Sequence, residues 1–427
     1  MKVEPSTGVN RPLDKAIVVY ESGGMEETAG LPNVTRLVCS LRSAGFSSVV
    51  VYAGDHQEEV SASLREKVGE EEVDIIAQAF GERGLGEPPP MWEEDNPLYL
   101  GVKTSVVLDP VFLRDLKDGW ARGELGEGFS VKGALWVERW REGASKEVGE
   151  DRFGGTFHLV DSAKERRKAK WKLLVACRKP MNIDGMVCRA IGRPLSSRIS
   201  KVLVELPVSP NAVTAASLLI GLAGASLVAL GGYWMMVSGA ALVFFSWVLD
   251  NCDGEIARVK HKGSRWGAWF DIYADFITNI AFIVGMSLGL YRGGGEPTML
   301  YLGAYVVLAQ TLYNGVVFRH IHRLGVPDEF LFTWWFDRPG DEGVGEEERA
   351  EEQRLDHESP AKGSFVGKSF SYIKYLGRRD FFIFAYLIAA SLSILDWALW
   401  ATAVGSTYSL VLTIVHLVIT KGDPIER

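Results

Sequence analysis

From Pro210 onward the chain is dominated by long apolar stretches, and this constrains its fold more than any other feature. Residues 212–230, 234–249, 266–290 and 299–318 each read as a helix able to cross a hydrocarbon layer of about 30 Å. Two more stretches, 381–400 and 401–420, follow a polar interruption, with Gly405 and small neighbours as the turn signal between them. The expectation is an all-α six-helix transmembrane domain over 210–427, with both ends on one side. Basic residues set the orientation. Arg189, Arg193, Arg198 and Lys201 precede the first stretch, Arg258, Lys260, Lys262 and Arg265 separate the second from the third, and Arg319, Arg323, Arg378 and Arg379 flank the long polar loop. The opposite loops hold Arg292 alone, so the N-terminal half and the second-to-third loop are expected on the cytosolic face of the cell (inner) membrane.

The first 178 residues read differently. Apolar β-branched runs at 16–20, 48–53 and 105–108 alternate with helical patterning such as 33–44, and loops rich in Gly, Pro and Glu separate them. This is the pattern of a soluble α/β domain. Between the two regions, 179–209 mixes Arg and Lys with Val, Ile and Leu at helical spacing, which suits an amphipathic helix at the membrane surface; a short core helix is the plain alternative. The loop at about 324–375 carries an acidic run from Asp341 to Glu352 and reads as a solvated linker, with a lid as the other reading.

Composition removes several function classes. A net charge of -8 with no long basic run argues against nucleic acid as a partner. Cys39, Cys177, Cys188 and Cys252 show neither CxxC pairing nor zinc spacing, and a reduced cytosolic face fits them. No charged segment followed by an apolar core is visible at Met1–Pro5 and beyond, so no secretory signal is expected. His320 and His322 point to different sides of a helix and are not read as a metal site.

The residues that carry chemistry lie where the second and third apolar stretches meet. Asp250 and Asp253 are three apart and Asp271 and Asp275 four apart, so each pair projects from one helical face. Carboxylates beside hydrocarbon are costly unless they face a wet cavity and find partners. Arg258 offsets one of the four charges, so the cluster calls for external cations, and oxygen ligands favour magnesium, manganese or calcium. Two divalent cations would balance the set and clamp a diphosphate. Gly254 and Gly267, each about a turn from a carboxylate, clear the surface for a flat nucleotide. Read from the acids alone, the alternative is a carboxylate-lined cation transporter, which leaves the glycines at helical register without a role.

The full spacing, D-x-x-D-G-x-x-A-R-x8-G-x3-D-x3-D from Asp250 to Asp275, resembles the signature of the CDP-alcohol phosphotransferases at every fixed position. The segment Ser209-Pro210-Asn211-Ala-Val-Thr214 is similar to that family's Pro-Asn-x-x-Thr entry to its first helix. The resemblance implies a CDP-alcohol donor, an alcohol acceptor, release of CMP and two divalent cations, Mg2+ or Mn2+, in a lipid bilayer, with a homodimer formed through membrane helices. It implies that Asp250, Asp253, Asp271 and Asp275 are metal ligands and that Asp275 is the general base. Asn211, Thr214, Gly254, Ala257, Arg258 and Gly267 would line the CDP site. Plain helix capping competes with that role for Asn211 and Thr214, and interfacial anchoring competes with acceptor binding for Arg378 and Arg379.

The N-terminal region from Gly30 through Gly54 resembles a strand-helix unit of sugar-nucleotide and cytidylyl transferases, a domain fused ahead of the membrane part in archaeal inositol-phosphate enzymes of the family. Those transferases cradle a triphosphate with a glycine-rich loop bearing Arg and Lys. Here the loop reads Tyr20-Glu-Ser-Gly-Gly-Met-Glu-Glu-Thr28, and no Arg or Lys lies between Lys15 and Arg36. The expectation is a degenerate nucleotidyltransferase-like domain, with Asp109 as a weak strand-end metal candidate or a cap.

Overall fold

The computed structural model describes residues 13–20, 24–68, 74–76, 98–108, 110–122, 125, 129–131, 135–139, 146–147, 157–160, 162–176, 185–294, 296–325, 327 and 379–419. Asp109, Glu21, Arg378 and the acidic run at 341–352 lie outside them. The chain divides into two compact units. One comprises Met1–Arg178 with Lys201–Pro207 and Arg258–His261, the other Lys179–Ser200, Val208–Ala257 and Lys262–Arg427.

The first unit is α/β. Its central strands are β1 (Lys15–Val19), β4 (Ser48–Tyr52), β5 (Asp74–Ile76) and β6 (Leu98–Lys103). The pairs β1–β4, β1–β6 and β4–β5 are parallel, with Ala16 opposite Val49 and Leu100. Strands β8 (Phe129–Val131), β9 (Leu135–Arg139) and β10 (Lys146–Glu147) continue the sheet, with β9 antiparallel to β6, in the order β10-β8-β9-β6-β1-β4-β5. Short ladders join β2 (Glu27–Thr28) to β3 (Leu31–Pro32) and β7 (Val106–Leu108) to β11 (Phe157–Leu159).

Alternation in β1 explains the burial of both sheet faces. Ala16 and Val18 enter one core with Val49 and Val51, while Ile17 enters another with Val50, Tyr52 and Tyr99. Helix α1 (Asn33–Ser43) covers the larger core with Val34, Leu37, Val38 and Leu41, spaced for one helical face. It ends where Gly45, at φ 79°, supplies the left-handed residue and Phe46 N–H bonds back to Leu41. Helices α2 (Gln57–Val68), α3 (Pro110–Ala121) and α4 (Ala163–Ala176) complete the unit.

The second unit is helical. After a π-helical turn at Cys188–Gly192 come α5 (Arg193–Leu203), α6 (Pro210–Leu230), α7 (Tyr233–Val259), α8 (Arg265–Gly294), α9 (Thr298–Leu324), α10 (Arg379–Ser391) and α11 (Leu395–Ile419). Five of these, α6 to α9 and α11, are long and apolar enough to cross a membrane. At 13 residues, or about 20 Å of rise, α10 as described is too short to span alone. The expected boundary between the last two stretches is corrected. The chain breaks at 392–394, where Ser393 adopts φ 58° and Ile394 N–H closes onto Ala389, whereas α11 runs through Gly405. An apolar helix tolerates an isolated glycine, and a left-handed serine stops one.

Small residues let these helices approach closely. A Cβ on Gly224 would lie 2.7 Å from the Gly239 carbonyl oxygen, and one on Gly285 or Gly289 would collide with the Ala225 or Val228 carbonyl. Glycine there permits the backbone contact that drives association in lipid, where apolar burial alone gives no preference. Helix α6 is thereby fixed against both α7 and α8, the two helices that carry the acids.

Candidate metal centre

Asp250 lies more than two turns before the end of α7, and Asp271 and Asp275 lie in the N-terminal half of α8. One carboxylate oxygen from each falls within 4.8 Å of the others, and all three residues are partly exposed. A carboxylate-only donor set at that separation suits a hard divalent ion. Arg379, the first residue of α10, pairs with Asp275 and lies 3.8 Å from Asp250. The expectation of interfacial anchoring for Arg379 is therefore corrected: its guanidinium reaches into the acids because their mutual repulsion favours the nearest cation.

Asp253 is the most buried of the four acids, at 7% exposure, and accepts a hydrogen bond from the Thr214 hydroxyl of α6. Asp253 is outside the three-acid cluster among the described residues, while Thr214 bonds the acid rather than serving as a cap. The cap is Ser209, whose side chain accepts from Ala212 N–H at 3.2 Å, with Pro210 at the first helical position. Asn211 has moved to a different task. A Cβ on Gly267 would lie 2.6 Å from Asn211 Oδ1, so that glycine makes room for the asparagine. Gly254 and Ala257 follow Asp253 on α7, partly exposed, and Arg258 groups with the first unit.

Sequence reasoning missed a second layer of buried acids. Glu255, fully buried, accepts from Arg193 at 3.0 Å and from Ser196 Oγ at 2.9 Å, which ties α7 to α5. Asp380 accepts from the Cys188 backbone N–H at 2.9 Å, at the start of the π-helical turn, and no side chain on Gly185 would fit beside it. The signal for Asp380 was its adjacency to Arg379; for Glu255 there was none, since its partner lies 62 positions away. His322 stacks on Trp269 at 3.9 Å and meets the Tyr273 hydroxyl at 2.6 Å, so its role is packing between α8 and α9.

In the first unit, the buried Arg36 donates to the carbonyls of Thr28 and Ala29, and Glu26 pairs with Arg166. The N-terminal amides of α1 at Asn33 and Val34 donate to the carbonyls of Glu26 and Gly24 at 3.1 and 3.0 Å. Loop carbonyls thus occupy donors that could otherwise receive an anion.

Residues 207–328, which hold the acid cluster, match the CDP-alcohol phosphatidyltransferase family: the C-terminal part of this chain carries a domain of that family. The chain is 33% identical over 152 residues to the bifunctional IPC transferase and DIPP synthase of Archaeoglobus fulgidus, covering 36% of this chain and 30% of that protein. It is 34% identical over 131 residues to the protein of the same description from Aquifex aeolicus, covering 31% of this chain and 29% of the relative. The matched region is thus about three-tenths of these relatives' length. The solved phosphatidylinositol phosphate synthase of Mycobacterium tuberculosis with CDP-DAG bound is similar at 18% identity and a TM-score of 0.37, over 52% of this chain and 94% of that one.

Proposed function

We propose that this protein transfers a phosphoalcohol unit from a CDP-alcohol to a second alcohol and releases CMP, in a reaction that depends on divalent cations. The observation that carries this reading is the convergence of Asp250, Asp271 and Asp275 oxygens within 4.8 Å of one another in a domain of that family. Bound cations would screen the diphosphate and stabilise the departing phosphate of CMP. Asp250, Asp271 and Asp275 hold them, and Asp253, oriented by Thr214, completes the set. Asp275 takes the proton of the acceptor hydroxyl, and in the structure its carboxylate pairs with Arg379. Asn211, Gly254, Ala257, Arg258 and Gly267 line the nucleotide side.

A relative named phosphatidylinositol phosphate synthase, from Mycolicibacterium smegmatis and 28% identical over 116 residues, favours an inositol-phosphate type of acceptor over other alcohols. The first unit is assigned as a nucleotidyltransferase-like domain without transferase activity, because Arg36 is engaged by backbone carbonyls and the α1 amides are capped by the loop itself. The protein works as a homodimer in the inner membrane with its acids on the cytosolic side.

Purified protein incubated with a panel of CDP-alcohols and acceptors, with and without magnesium, tests this. CMP appears only with the cation and is lost in Asp275→Asn. Ion flux across a reconstituted bilayer without CMP formation would replace this reading with the transporter.

A further inference from the structure

Helix α4 has an unusual division of its two sides. Ala169, Lys170, Leu173 and Leu174 are buried, with Lys170 held by Glu205. The outward stripe, at the spacing of one helical face, is Lys164, Arg167, Lys168, Trp171, Lys172 and Val175. The one acid of the helix, Glu165, sits off this stripe between His158 at 2.9 Å and Lys168 at 2.8 Å. In a chain of net charge -8, an ordinary solvated face would mix both signs; this one is basic.

Apolar groups are set into the same surface. Trp171 is 42% exposed and Val175 41%. Lys201, at the end of α5 and in the same unit, places its ammonium 5.9 Å from the Trp171 ring centre, and its neighbour Val202 is 61% exposed. An open depression of about 640 Å³ lies along the stripe, lined by the basic residues and Trp171. A soluble anion would be served by the cations and gains nothing from a part-exposed tryptophan and two valines. A lipid surface offers both partners, charged headgroups and the acyl boundary beneath them, and tryptophan is favoured at that level. The helix also precedes, in sequence, the basic and apolar segment that leads into the first membrane-length helix at Pro210.

We infer that the outward face of α4, with Lys201, is a docking surface for anionic lipid headgroups. It is independent of the acid cluster and of the reaction proposed for it. The full chain is placed in nanodiscs of phosphatidylcholine alone or with phosphatidylglycerol, and amide hydrogen exchange is followed over residues 163–176. Exchange slows at least about tenfold in the anionic discs, because each Lys or Arg near such a surface adds about fivefold to the attraction. High salt removes the slowing, as does the triple variant Lys164→Glu, Arg167→Glu, Lys172→Glu. These residues are exposed, so the variant keeps the fold, which protection of the β1 and β4 amides checks directly. Equal exchange in both kinds of disc overturns the inference. So does equal slowing by inorganic phosphate in neutral discs, which would mark a soluble-anion site, or slowing that persists in the triple variant.

Discussion

Thr214→Val is the sharpest probe of the candidate centre, because it removes one hydroxyl and keeps the shape of the side chain. Thr214 is 2% exposed and its hydroxyl has a single proton, with the Pro210 carbonyl 3.2 Å away and the Asp253 carboxylate closer. The carboxylate oxygen is the nearer acceptor, so the hydroxyl proton belongs to Asp253. Leaving a buried polar group without its partner costs about 1–3 kcal/mol, and Asp253 at 7% exposure cannot recover it from bulk water. Part of that loss appears as misorientation of a metal-binding acid, for which outer partners are typically worth about 10–100-fold. CMP release by Thr214→Val is therefore expected to fall about 10–100-fold at fixed magnesium, while Thr214→Ser, which keeps the hydroxyl, stays within about threefold of the parent by the same reasoning. Magnesium-dependent thermal stabilisation in detergent should fall in parallel. Full activity in Thr214→Val would refute the positioning role. An equal loss in Thr214→Ser would assign the effect to the missing methyl group.

Three further outcomes follow from the geometry. Arg379→Ala removes the cation that pairs with Asp275 and lies 3.8 Å from Asp250, so the magnesium concentration that half-stabilises the protein against heat should drop at least about fivefold, the factor given by about 1 kcal/mol of charge interaction; an unchanged midpoint would show that Arg379 does not compete for the acids. Gly224→Ala puts a Cβ 2.7 Å from the Gly239 carbonyl and should lower thermal stability by about 1–3 kcal/mol as α6 and α7 are forced apart, whereas Gly232→Ser, with nothing within 4 Å, tests only the cost of its φ of 79°. Glu255→Ala strands a buried Arg193 and should cost about 3–5 kcal/mol, with the Glu255→Ala, Arg193→Ala double variant less damaged than the sum; additive losses in a thermal-unfolding cycle would show that the pair is not coupled.

What the sequence revealed depended on range. The spacing from Asp250 to Asp275 needs only helical periodicity to become geometry, and three of its four acids converge. Strands at Lys15–Val19 and Ser48–Tyr52 were visible because fully buried parallel strands leave continuous runs of Val and Ile. Asn211 and Thr214 were ambiguous from sequence, since a residue near a helix start can cap it or reach a neighbouring helix, and only the distance to Asp253 and Gly267 separates those cases. The break at Ser393 carried no glycine or proline, and Gly405 drew the boundary to the wrong place. Arg379 was visible only as a cation near a helix end, because its target lies over 100 positions earlier.

The acids of the second unit separate into two kinds by what satisfies them. Glu255 has Arg193 and Ser196, and Asp380 has a backbone amide at the start of a helical segment; both sets of donors belong to packed elements and cannot leave without unfolding them. Asp250 and Asp275 face the side chain of Arg379, which extends from the first residue of a helix and can swing away at the cost of a few torsions. A carboxylate whose donors belong to packed elements is fixed in place, whereas one held by a displaceable cation can exchange that cation for an ion. Asp253 stands between the two cases, buried like the first kind and hydrogen-bonded to the Thr214 hydroxyl. That ordering predicts which substitutions change cation binding and which change only stability, and it makes Asp253 the residue at which the two effects should appear together.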